Sequence, residues 1–117
     1  MVQHARQEGF TVYIADHMEQ VRELLAGTPV QLVVLGLGGL KREGIAILGM
    51  IRRHYPGIRV ITINSGDQFE LSLKGMRLGA FDDFLIPFDL DALMACVQRA
   101  LDADSGREPA AVKDKRL

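Results

Sequence analysis

Cysteine is nearly absent from this chain. Cys96 stands alone, so no internal disulfide can form and the stapled scaffold of a small secreted domain is excluded. A lone thiol suits a reducing cytoplasm, where the protein is expected to work. Tryptophan is missing, and no run approaches ~18 apolar residues without a charge, so no segment reads as a membrane span. The first residues, Met1-Val2-Gln3-His4-Ala5-Arg6, lack the apolar stretch of a secretory signal. Neither sign of charge dominates. Fourteen basic residues stand against fifteen acidic ones, a net charge of −1, so the basic footprint of a nucleic-acid binder is absent. The histidines His4, His17 and His54 fall in separate segments without ligand spacing, so neither a metal nor a cofactor is expected. Internal repeats and low-complexity segments are missing too.

What is present is the composition of one soluble domain. The chain has 117 residues, 48% apolar and 25% charged. A domain of this size buries roughly two-thirds of its unfolded surface and needs no staple. The composition shifts once, near residue 102. From Asp102-Ala103-Asp104-Ser105-Gly106 onward the chain is polar, with Gly and Pro, and residues 103–117 read as a mobile tail or linker behind a domain of residues 1–102.

Within the domain, β-branched runs alternate with helical patterns. Phe10-Thr11-Val12-Tyr13-Ile14, Gln31-Leu32-Val33-Val34-Leu35 and Arg59-Val60-Ile61-Thr62-Ile63 read as strands, with Asp83-Phe84-Leu85-Ile86 as a short fourth. Met18, Val21 and Leu25 share one face of a helix over roughly 16–26, with Gly27 past its end. Gly44, Ile47, Leu48 and Ile51 do the same over roughly 43–54, before the stop at Tyr55-Pro56-Gly57. Ser65 and Gln68 have capping-box spacing ahead of a helix over roughly 66–78, which Gly79 ends. Asp89 caps the last helix, along which Leu90, Leu93, Met94, Val97 and Leu101 form an apolar stripe. Such alternation calls for an α/β fold: an open parallel sheet, flavodoxin-like, with right-handed crossovers and helices on both faces. Its chemistry belongs beyond the carboxyl ends of the strands, at Gly36, Asn64 and Ile86.

At those positions the chain resembles the receiver domain of bacterial two-component response regulators, from about Arg6 to Leu101. Leu32-Val33-Val34-Leu35-Gly36 looks like the family's third strand, and Gly44 stands where the family has a glycine eight residues later. Val60-Ile61-Thr62-Ile63-Asn64-Ser65 resembles the fourth strand. Leu78-Gly79-Ala80-Phe81-Asp82 matches the Leu-Gly-Ala-x-Asp turn, and Ile86-Pro87-Phe88-Asp89-Leu90 matches the Lys-Pro-Phe-x-x segment except at the lysine. The resemblance implies a receiver fold whose site is emptied. The phosphoacceptor aspartate is Gly36, which has no nucleophile. The phosphate-contacting hydroxyl is Asn64, followed by Ser65, and the lysine is Ile86, followed by Pro87. An isoleucine buried there makes the site apolar. Asp83 replaces the family's switch aromatic. The family's acidic pair for Mg²⁺ ends a first strand that this sequence does not supply, since the residues before Phe10 look like a polar helical remnant.

Other signals have plainer explanations. Gly36-Leu37-Gly38-Gly39 lacks the Lys-Ser/Thr of a phosphate loop and reads as a flexible connection. Asp82 and Asp83, adjacent and so facing opposite ways, make a poor acid/base pair and read as a solvated turn, with Asp83 at a partner surface. Cys96 sits at the margin of a buried face, without a histidine to activate it. Arg52-Arg53-His54 complements a helix dipole. Phe69, Leu71 and Leu73 read as core, although they exceed one buried face and Phe69 and Leu73 invite a partner.

The expectation is therefore a non-enzymatic signalling module of about four strands, cytoplasmic and independent of phosphorylation. It acts through contacts with a protein partner. The 10–14 strand is expected to pair directly with 31–35, and a homodimer is expected because the shortened first helix leaves apolar surface uncovered. The same sequence also admits a small flavodoxin-like ligand- or cofactor-binding protein, or a mis-started fragment of a longer response regulator.

Overall fold

The computed structural model describes residues 2–15, 17–37, 43–65 and 69–105, with residues 103–105 described by backbone alone. Eight elements follow in order: α1 (Val2–Gln7), α2 (Met18–Gly27), β1 (Leu32–Gly36), α3 (Glu43–His54), β2 (Arg59–Ser65), α4 (Phe69–Arg77), β3 (Asp82–Ile86) and α5 (Leu90–Ser105). The three strands form one parallel sheet in the order β1-β2-β3. Val34 registers with Ile61, and Ile63 with Phe84.

The alternation of β2 builds a core on each face of the sheet. Val60, buried, joins Leu35, Leu37, Ile47, Leu48 and Ile51 under α2 and α3. Ile61 and Ile63, one step out of phase, pack with Leu93, Cys96, Val97 and Ala100 of α5. The buried positions of α5 fall at i, i+3, i+4 and i+7, one helical face. Asp89 caps that helix as expected: its Oδ1 accepts from the Asp91 backbone N–H at 2.9 Å.

Gly44 is fixed by close approach. A Cβ there would stand 2.8 Å from both Cα and O of Leu37, so only glycine lets the start of α3 lie against the end of β1. Gly79, at φ +106°, ends the helical turn after α4, and its missing side chain leaves room for the Arg52 guanidinium.

The sheet is of the expected kind but has three strands among the described residues, not four. Phe10-Thr11-Val12-Tyr13-Ile14 is neither helix nor strand and pairs with nothing among the described residues, so the expected pairing of this run with β1 does not form. A strand needs a neighbouring backbone to satisfy its polar groups. Here Arg6 Nη2 donates to the Val12 carbonyl instead, at 3.3 Å. Phe10 still packs against the α5-side core, while Tyr13 and Ile14 are exposed. Gly27 is the last residue of α2, not a residue past it. The last helix passes the boundary read at 102. The rest of the expected tail (106–117), Gln68 of the capping box, and Gly38 and Gly39 of the loop lie outside the described residues.

Candidate functional site at the carboxyl end of the sheet

Parallel pairing brings the expected positions to one end of the sheet. Gly36 registers with Ile63, Asn64 with Leu85, and Ser65 with Ile86. Gly36 is exposed, and among the described residues a Cβ added there would meet no atom within 4 Å. Position 36 therefore holds open space and offers no nucleophile.

Asn64 lies one residue before the end of β2 and is 2% exposed. Its side chain is committed inward. Nδ2 donates to Ser72 Oγ of α4 at 3.2 Å, and Oδ1 accepts from the Ser65 N–H at 3.0 Å. The amide at the position of the family's phosphate-contacting hydroxyl ties strand to helix. Ser72, also buried, escaped the sequence reading. Its signal was its place in the turn of α4 that faces β2, beside Gly75, which packs near Thr62.

Ile86 corrects the reading of a buried, apolar site: it is 56% exposed, and Leu85 before it is 44% exposed. The physical reason is that β3 is an edge strand, paired on one side only, so its last residues are left facing solvent. Pro87 follows through a cis peptide bond and is exposed as well.

The acidic pair begins β3, at the opposite end of the strand from Ile86, and does not form a solvated turn. Both residues are half-buried. Their side chains diverge as adjacent strand residues must. Thr62, fully buried, donates its hydroxyl to Asp83 Oδ1. Asp82 turns to α5, where Cys96 Sγ–H donates to its Oδ2 at 3.5 Å and Arg99 lies 4.0 Å away. Cys96 is fully buried, not marginal. Burial, and then the Asp82 carboxylate, push its thiol up to about 11, so it stays protonated at neutral pH and is a poor nucleophile. Among the described residues no three His, Cys, Asp or Glu side chains converge as metal ligands.

Phe69 and Leu73 are not core. They are 62% and 40% exposed and, with Met76 at 43%, form an apolar stripe at i, i+4 and i+7 along the outside of α4. Only Leu71 of the expected set packs on the core.

No family model matches the chain. Relatives do. Over 97 residues the chain is 33% identical to a response regulator of Rickettsia bellii described as NtrX-like, a match covering 81% of this chain and 20% of that protein. It is 32% identical over 98 residues to the regulatory protein AtoC of Escherichia coli, covering 84% of this chain and 21% of AtoC. The chain thus spans about a fifth of the length of these relatives. Among solved structures, the receiver domain of NtrX from Brucella abortus superposes with a TM-score of 0.73 at 28% identity, over 84% of this chain and 83% of that one. A CheY-like receiver domain protein from Methanospirillum hungatei shares the fold at a TM-score of 0.81 and 20% identity, over 90% of this chain and 84% of that one. The chain carries a receiver domain of the response-regulator family, the signalling module of two-component systems. No described helix is long and apolar enough to cross a membrane.

Proposed function

We propose that this receiver domain signals without being phosphorylated, through contacts with a protein partner. The observation that carries the reading is what stands at the three strand ends. Gly36 has no side chain, the Asn64 amide is bound to Ser72, and Ile86 has no charge. Aspartyl phosphorylation needs a carboxylate nucleophile and fixed positive charge around the transferring group. The described part of this site supplies neither, so Gly36, Asn64, Ser65, Ile86 and Pro87 form a degenerate site that performs no catalysis.

The contact surface on this reading is the outer stripe of α4, Phe69 and Leu73 with Met76, flanked by the exposed Leu85 and Ile86 of β3. Exposed apolar residues grouped in this way mark protein interaction sites. Asp83, held by Thr62, contributes a half-buried carboxylate at the other end of β3. Association of two copies is part of the proposal, because β1 pairs only with β2 and leaves one edge without a described partner strand.

The test is incubation of the full chain with acetyl phosphate and Mg²⁺, followed by intact mass measurement. The expected result is no added phosphoryl group. Incorporation of one group that hydroxylamine removes would overturn the reading. Gly36→Asp should also fail, because a nucleophile alone restores neither the metal-binding carboxylates nor the lysine.

A further inference from the structure

The outer face of α3 is the floor of a groove of about 450 Å³, with α2 along one side and α4 along the other. Four basic side chains line it: Arg22 from α2, Arg53 and His54 from the end of α3, and Lys74 from α4. Among the described residues no acidic one lines it, although the chain as a whole carries a net charge of −1. Among the described residues no ion pair engages any of the four. Three helices thus direct unpaired positive charge to one place. The dipoles of α3 and α4 account for Arg53, His54 and Lys74, which lie in the last turns of those helices, but not for Arg22 of α2.

The floor is narrow and apolar. Ala46 and Gly49 lie one turn apart on α3, and a Cβ at Gly49 would meet nothing within 4 Å, so the backbone itself is open to an incoming surface. Met18 and Leu78 form the apolar walls. Lys74 and Leu78 lie one turn apart on and just after α4, separate from the stripe of Phe69, Leu73 and Met76.

We propose that this groove binds an acidic amphipathic helix of a partner protein, its apolar residues over Ala46 and Gly49 and its carboxylates against Arg22, Arg53, His54 and Lys74. Charge complementarity selects the sign of the partner, and the small residues of the floor allow close approach of a second helix. The apolar floor argues against a nucleic acid, for which the groove offers no Phe, Tyr or Trp on which bases would stack. The surface is distinct from the α4 stripe, so either proposal can fail without the other.

The probe is a fluorescein-labelled peptide of about 15 residues, with Leu at i, i+3, i+4 and i+7 and Glu at most other positions, titrated with the full chain and read by anisotropy. Saturable binding is expected, weakening severalfold as salt is raised. Arg53→Glu with Lys74→Glu should weaken it at least tenfold. Gly49→Leu, which fills the groove from an open position, should do the same while circular dichroism and the thermal midpoint show an intact fold. Phe69→Glu should leave the affinity unchanged. Absence of binding would overturn the proposal. So would equal binding of the peptide with Lys in place of Glu, or of a polyglutamate lacking the apolar stripe. Displacement of the peptide by a single-stranded oligonucleotide would assign the groove to nucleic acid and overturn it as well.

Discussion

Asn64 and Ser72 are joined inside the protein: the amide of the strand end donates to the hydroxyl of α4 at 3.2 Å, with both residues buried. This bond turns a position that faces the phosphoryl group in the family into a structural tie between β2 and α4. Asn64→Ala leaves the Ser72 hydroxyl and the Ser65 N–H without that partner. Unsatisfied buried groups cost ~1–3 kcal/mol, so the unfolding free energy should fall by that amount, seen as a lower denaturation midpoint with an unchanged m-value. A shift near zero would show that water replaces the amide.

Ile86→Lys is expected to be nearly silent. The side chain is more than half exposed, so the ammonium reaches water without being buried, and stability should stay within ~0.5 kcal/mol in urea. A loss of several kcal/mol would mean that Ile86 is covered in solution, by a second copy or by another segment.

Two glycines of α3 should respond in opposite directions. Alanine has the better helix propensity, by ~1 kcal/mol. At Gly49 its Cβ meets nothing within 4 Å, and Gly49→Ala should stabilise. At Gly44 the Cβ meets the Leu37 backbone at 2.8 Å, where overpacking costs ~1–3 kcal/mol and outweighs the propensity gain. Thermal melts of the two variants should move to opposite sides of the unsubstituted chain.

Cys96 gives stability a dependence on alkaline pH. Its thiol titrates near 11 in the fold against 9.0 in the unfolded chain, because burial and Asp82 disfavour the thiolate. Below 9.0 both states keep the proton, and the contribution is fully present. Between these values the unfolded chain loses the proton first, so stability declines as pH rises. The stability difference between the unsubstituted chain and Cys96→Ala should therefore narrow from pH 9 to pH 11. A difference that stays constant would place the thiol in a wetter environment.

Sedimentation at micromolar concentration tests the association proposed for the uncovered edge of β1. A concentration-dependent dimer is expected. A monomer with a sharp thermal transition would show that three strands close the core unaided.

Much of this domain is determined by local pattern. The strands at Leu32, Arg59 and Asp83 and the helices between them follow from runs and periods that any buried sheet with covering helices imposes, because side-chain direction repeats every two residues in one and every 3.6 in the other. The Gly44 position and the turn at Gly79 were legible because only glycine fits a close backbone approach or a positive φ. The Phe10–Ile14 run has strand chemistry but forms no ladder among the described residues, since pairing depends on a neighbouring edge that composition does not reveal. Exposure was decided by tertiary structure alone. Ile86 and Leu85 carry the residues of a buried strand yet lie exposed at the end of an edge strand, and Phe69 and Leu73 carry the residues of a core yet are exposed on α4. The same holds for Asn64: its amide was visible in the sequence, but its direction depends on Ser72, eight residues away on the next helix. A sequence lists donors and acceptors, and only packing pairs them.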